Sequence, residues 1–372
     1  MNQRRIIRFL FLGLIVITLP AFAGDKRVDG PVTETGDIAG AEFLIEIPKN
    51  WNGGLIMYAH GYSMVGTGSP FNTSMVRVGH ELGYAVAQSR YARQGWAARE
   101  GVLDTEALRR YFVNTYGETY PTIIAGHSQG AAITYYTIEH YPEYYDGALP
   151  MCGTAEPALS FFKRRVFDMR LLFDYYFPGI SGSVVDFPEG EKTFAKALAK
   201  ANELVKAHPE EAARFIRMVN LPDVQSIPGV IAFWSEILRE LQVRTGGNAF
   251  DNRDTVYEGS DDDARLNRKI SRYASDARSV EYLRQWVTIE GDARDPILAL
   301  HTLVDPLITA TAGNAYDDLA VGQDNSDRFV MQYVDRIGHC NFTDAETKAA
   351  LESLTQWIKR DKRPVAGEIT RD

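Results

Sequence analysis

TIIAGHSQGAAITYY, residues Thr122–Tyr136, decides how the rest of the chain is read. An apolar run suited to a buried strand leads into Gly-His-Ser-Gln-Gly, and Ala131, Ala132 and Ile133 continue as the opening of a helix. A serine thrust out of a sharp strand-to-helix turn sits in a strained backbone conformation that bulky residues two positions away would obstruct. Gly126 and Gly130 remove that obstruction. The Ser128 hydroxyl then stands at the C-terminal edge of a sheet, with the following backbone N–H and the helix N-terminus facing any developing oxyanion. A GxSxG pattern by itself is common. The strand before it and the helix after it are the context its chemistry requires.

A serine hydroxyl is a poor nucleophile at neutral pH, so it needs a general base and a group that orients the base. In a doubly wound sheet such groups gather on loops at the C-terminal strand ends. Of the seven histidines, only His339, in RIGHCNF, lies in a loop directly after the last predicted strand, and it is the expected base. His127 reads as packing at the turn, His80 and His140 as helix residues, and His301 as part of an apolar strand. Asp305 ends the strand ILALHTLV and precedes Pro306, which favours a turn, and it is the expected acid. Glu156, just past the sixth strand, is the alternative, whereas Asp292 and Asp295 would emerge at the wrong end of the sheet. His60-Gly61-Tyr62 follows the strand GGLIMYA and forms a loop whose backbone can face the serine. The oxyanion hole is therefore assigned to the N–H groups of Tyr62 and Gln129, with His60 bracing the loop.

The first 23 residues carry Arg4, Arg5 and Arg8, an apolar run from Phe9 to Leu19, and the small-residue site Ala21-Phe22-Ala23, the pattern of a cleaved secretory signal. That run is shorter than the roughly 20 residues a membrane span needs. Cleavage would remove three arginines and no acid from a chain of formal charge −9, leaving it more acidic still. An acidic surface argues against nucleic acid as a partner, and no later segment is long and apolar enough to span a membrane. The expected location is secreted or periplasmic, the expected partner a small-molecule ester, and no cofactor or metal is expected. The oligomeric state stays open.

Runs rich in Ile, Leu, Val and Ala alternate with helical stretches through the first half, and two more such runs come late, which indicates a mostly parallel α/β sheet covered on both faces. The expected organisation is a signal peptide at 1–23, a first core part at 24–155, a helical cap at 156–258 inserted after the sixth strand, and a second core part at 259–372. The cap's aromatics Phe161, Phe162, Phe167, Phe173, Tyr175, Tyr176 and Phe177 are expected mainly to hold it together, with one or two reaching a substrate and Phe173 and Tyr176 as the first to probe. Ser260 followed by Asp261, Asp262 and Asp263 reads as a serine cap with an acidic first turn, the alternative being a calcium site. Cys152 and Cys340 are the only cysteines. In an oxidising compartment they form either a bridge or two buried thiols.

HGY after the third strand, GHSQG at the turn, VDP after the seventh strand and GHC after the eighth resemble the α/β-hydrolase superfamily in its Ser, Asp, His chain order. The resemblance spans essentially everything after residue 23 except the cap. It implies Ser128 as nucleophile, Asp305 as orienting acid and His339 as base. YARQGW, GALPMCG and the HC pair are similar to secreted esterases and amidases of the tannase and feruloyl-esterase neighbourhood, although those esterases often carry a cysteine where this chain has His127. The expected function is exported serine hydrolysis of carboxylic esters bearing an apolar or aromatic group. The alternatives are an amidase or peptidase with the same triad, and a non-catalytic binding protein of the same fold.

Overall fold

The computed structural model describes residues 28, 30–178, 183–187, 193–286 and 288–369. The expected signal sequence lies outside them. Strands β1 (Val32–Ile38), β2 (Ala41–Ile47), β3 (Leu55–Ala59), β4 (Ala85–Ser89), β5 (Thr122–His127), β6 (Gly147–Met151), β7 (Ile297–Val304), β8 (Phe329–Ile337) and β9 (Gly367–Glu368) form one sheet. Their order is β1-β2-β4-β3-β5-β6-β7-β8-β9, with β1 and β4 antiparallel to β2 and every other neighbouring pair parallel.

The helices are α1 (Thr73–Glu81), α2 (Ala98–Tyr116) and α3 (Gln129–His140), followed between β6 and β7 by α4 (Ala158–Phe161), α5 (Met169–Tyr176), α6 (Thr193–Ala207), α7 (Pro209–Val219), α8 (Ile227–Thr245), α9 (Asp263–Lys269) and α10 (Ala277–Gln285). A π-helical stretch, Phe162–Asp168, joins α4 to α5, and α11 (Ala310–Gly322) and α12 (Asp344–Arg360) close the fold. Side chains alternate across the strands, so Met57 and Ile124 pack with Phe112 of α2 and Tyr316 of α11. Ile56 and Ile123 pack on the other face with Val78 of α1 and Leu354 of α12. Burial from both sides is why the central strands read as unbroken apolar runs.

The helices between β6 and β7 pack into one apolar cluster that also takes in Trp96, Ala98, Ala132, Ile308 and Ala312 from the sheet's own helices and loops. Phe173 stacks on Phe177 at 4.7 Å and meets Phe215 edge-on at 5.5 Å. Leu266, Ile270 and Leu283, from residues expected in the second part of the core, are buried in this same cluster. Helices α9 and α10 thus bury apolar residues in the same cluster as the helices before Glu258. The start of α9 also differs from the Ser260 cap expected. Ser260 is engaged by Asp263, and it is Asp262 whose carboxylate accepts the Arg265 N–H at 2.9 Å. Asp261 instead pairs with Arg214 at 3.0 Å. Among the described residues no helix is long and apolar enough to cross a membrane.

Candidate active site

Parallel pairing of β3, β5, β6, β7 and β8 brings the loops at their C-terminal ends to one edge of the sheet. Ser128 follows β5 with φ 55° and ψ −117°, a left-handed conformation that aims its side chain away from the strand. The space for this turn exists only because of its glycines. A Cβ on Gly126 would lie 2.4 Å from the Gly130 carbonyl oxygen, and one on Gly130 would lie 2.0 Å from that of Ala59.

His339, in the loop after β8, places Nε2 2.8 Å from Ser128 Oγ and Nδ1 2.7 Å from Asp305 Oδ2. With Nδ1–H donating to the carboxylate, Nε2 is left to accept the serine proton. The other Asp305 oxygen accepts the Leu307 and Ile308 N–H groups at 2.8 and 3.1 Å, so the carboxylate is fixed by its own turn. Glu156 is turned away and bonds Arg164 at 2.5 Å. Arg165, buried in the π-helical stretch, donates to the carbonyls of Pro306 and Leu307 at 2.8 and 3.2 Å and so braces the Asp305 loop from the cap. Burial pushes that guanidinium down to about 10.

Gly61 packs on the turn so closely that a Cβ would lie 3.4 Å from Ser128 Cβ, which brings the Tyr62 backbone alongside the serine. Among the described residues the N–H groups of Tyr62 and Gln129 donate to no protein acceptor. His60 bonds the Gly61 carbonyl through Nδ1 at 2.6 Å and stacks on Tyr91 at 3.9 Å, which fits a bracing role. His127 points behind the turn, where the Tyr58 hydroxyl accepts from Asn72 and is hydrogen-bonded to His127 Nδ1 at 2.9 Å. Burial, with the nearby His339 second, pushes the His127 ring down to about 4, so it stays neutral near pH 7. Cys152, at the end of β6, is joined to Cys340 by a disulfide with Cα atoms 5.2 Å apart, and the bond anchors the residue after His339.

Over the serine lies a narrow cavity of about 30 Å³ between sheet and cap, walled by Trp96, Phe161, Phe162, Phe233, Trp234, Ile237 and Ile308. Of the cap aromatics singled out in the sequence, Phe161 and Phe162 reach it, whereas Phe173 and Tyr176 do not line it. Phe173 faces the cap core because α5 is rotated to meet α7 and Phe215. Helix α8 lies inside the expected helical cap, but Phe233, Trp234 and Ile237, which it supplies to the cavity, were not among the residues singled out. Its signal was a long apolar stretch, IPGVIAFWSEILRELQV, that nonetheless carries Glu236 and Glu240. The amide of Gln129 and the indole N–H groups of Trp96 and Trp234 are buried on these walls without a partner among the described residues. Buried donors left unpaired cost about 1–3 kcal/mol each.

A family model described as a tannase-like family of unknown function (DUF6351) matches residues 38–267, which takes in the Tyr62 loop, the serine turn and most of the cap but stops before β7. A curated relative, o-phthalyl amidase of Xanthobacter agilis, is 26% identical over 408 residues, covering 89% of this chain and 88% of its own. Among solved structures, an esterase from Aspergillus oryzae superposes with a TM-score of 0.50 at 13% identity, over 90% of this chain and 80% of that one. Feruloyl esterase B from Aspergillus oryzae covers the same shares with a TM-score of 0.49 and 14% identity. The fold is that of the α/β-hydrolases, with a helical cap inserted after the sixth strand.

Proposed function

We propose, from the premise that this chain belongs to the tannase-like family of unknown function (DUF6351), that it is a serine hydrolase acting on carboxylic esters through an acyl-enzyme. The observation that carries this reading is the unbroken hydrogen-bonded chain from Ser128 through His339 to Asp305. Ser128 Oγ attacks the ester carbonyl carbon while His339 Nε2 takes its proton. Asp305 holds the ring and stabilises the imidazolium that forms. The negative charge moves onto the carbonyl oxygen, where the Tyr62 and Gln129 N–H groups and the N-terminus of α3 receive it. His339 then returns the proton to the leaving alkoxide as the carbon–oxygen bond breaks. A water activated by the same nitrogen releases the acid and regenerates Ser128.

The walls of the cavity favour an apolar or aromatic group, and an oxygen substituent that reached Gln129, Trp96 or Trp234 would satisfy donors now unpaired. Amide cleavage is the second reading, favoured by the amidase relative. Labelling with a fluorophosphonate tests the serine reading: one adduct on the peptide containing Ser128 is expected, and an unlabelled protein would return the chain to the non-catalytic alternative. Turnover of matched aryl esters and aryl amides then decides between leaving groups, with faster ester cleavage expected. Export is part of the same proposal, resting on the Arg4 to Ala23 pattern, and predicts a mature chain beginning at Gly24.

A further inference from the structure

We propose that Glu240 is a positioning residue whose carboxylate couples the seating of cap helix α8 to the placement of the Tyr62 N–H beside Ser128. The inference rests on the reading of Ser128 as nucleophile and the Tyr62 N–H as an oxyanion donor. Glu240 is 4% exposed, on a helix that is otherwise largely apolar. Both of its oxygens are used by loops of the hydrolase core. Oε1 accepts from the Tyr62 hydroxyl at 2.9 Å, and Oε2 accepts from the Trp96 N–H at 2.7 Å. Arg239 lies 3.7 Å away and is itself engaged by Glu236. A carboxylate this buried would lose two hydrogen bonds by releasing these donors and keep only the more distant Arg239, so it holds the loops firmly.

The loop it holds is pressed against the serine from the other side. A Cβ on Gly61 would lie 3.2 Å from the His127 carbonyl oxygen. The next residue but one, Ser63, accepts the Gly95 N–H at 2.7 Å in an isolated antiparallel bridge. Gly95 has φ +80°, and a Cβ there would lie 2.3 Å from Glu240 Oε2, so backbone and carboxylate both require glycine. The Tyr62 ring also meets Phe233 of α8 edge-on at 5.3 Å. Tyr62 thus has its backbone beside the serine and its side chain fastened to the cap. When α8 is seated, the Tyr62 N–H is held for the oxyanion; when Glu240 lets go, that N–H drifts.

The test is kcat and KM for a small acetate ester, per serine titrated with fluorophosphonate, in wild type, Glu240→Ala, Glu240→Gln, Tyr62→Phe and the double variant Tyr62→Phe/Glu240→Ala. Glu240→Ala should lower kcat by about 10- to 100-fold with KM nearly unchanged, the scale of a misplaced oxyanion donor. Glu240→Gln keeps an acceptor for the Trp96 N–H and a donor for the Tyr62 hydroxyl, and should restore most of the rate. Tyr62→Phe should lose rate in the same direction, and the double variant should be no worse than Glu240→Ala. If Glu240→Ala does not fold, Tyr62→Phe alone decides. Wild-type kcat per titrated serine in Tyr62→Phe and in whichever Glu240 variants fold would overturn the proposal, whatever their melting temperatures. A wild-type protein that takes no label would instead remove the serine reading, and the proposal with it.

Discussion

Ser128 occupies a conformation of the kind that costs about 1–3 kcal/mol and persists only where its surroundings over-determine it. Here the Ser128 N–H is held by the Met151 carbonyl at 2.9 Å and the turn is enclosed by Gly126, Gly130 and Gly61. Ser128→Ala should therefore remain folded while kcat for an aryl ester falls by about 10⁴-fold or more. His339→Ala should lose a similar amount, and Asp305→Asn as much or somewhat less, because members of a triad act as a unit. Steady-state kinetics on the three variants check this, and a His339→Ala enzyme with undiminished kcat would place the base elsewhere. His127 makes a separate, pH-dependent contribution. Its folded value of about 4 lies below its ordinary 6.5, so folding favours the neutral ring. The stabilisation is whole above about pH 6.5 and is lost as pH falls toward 4, amounting to about 3 kcal/mol over that window. Urea unfolding at a series of pH values should show this slope in wild type, and His127→Gln should flatten it.

At the scale of elements, the cap aromatics divide by the direction their helices face. Phe161 and Phe162 stand on the cavity, so Phe162→Ala should raise KM for aryl-acyl esters more than for acetate esters. Phe173 is fully buried against Phe177 and Phe215, so Phe173→Ala should lower stability by about 3–5 kcal/mol and leave the ratio of the two KM values alone. Parallel kinetics and thermal melts on both variants separate the two roles. Equal KM shifts for bulky and small esters in Phe162→Ala would mean that the cavity does not take the acyl group.

Across the whole molecule, the Cys152–Cys340 bond spans 188 residues of sequence and so encloses the entire cap together with β7 and β8. Closing a loop of this size stabilises the fold by about 5 kcal/mol in the chain-entropy picture, with measured losses on removal typically about 2–5 kcal/mol. Because Cys340 directly follows His339, the bond also holds the proposed base against the sheet. Cys152→Ala/Cys340→Ala should lower the unfolding free energy within that range and reduce kcat by up to about 100-fold through a displacement near 1 Å. Unchanged kcat in the folded variant would confine the disulfide to stability.

The sequence by itself determined the layout of this protein: a short apolar run such as TIIAG, set ahead of a glycine-flanked turn and a helix, reads as a strand buried on both faces, and GHSQG after it can turn tightly because Gly126 and Gly130 leave room. Parallel strands with helical crossovers then bring their C-terminal ends to one edge, so Ser128, Asp305 and His339 were within reach as strand-end residues. Local sequence preferred Asp305 to Glu156 only through the turn that Pro306 favours, since both leave strands at that edge. Tertiary contacts separate the two positions, Arg164 engaging Glu156 while the Leu307 and Ile308 N–H groups hold Asp305. The same holds for the helices between β6 and β7, whose helical character was legible while the direction their aromatics face was not. Least legible was Glu240, which meets Tyr62 across 178 residues of sequence. Backbone preference acts over a few neighbouring residues and can be read from them, whereas the rotation of α8 that turns Glu240 toward Tyr62 is set only when the whole cap packs at once.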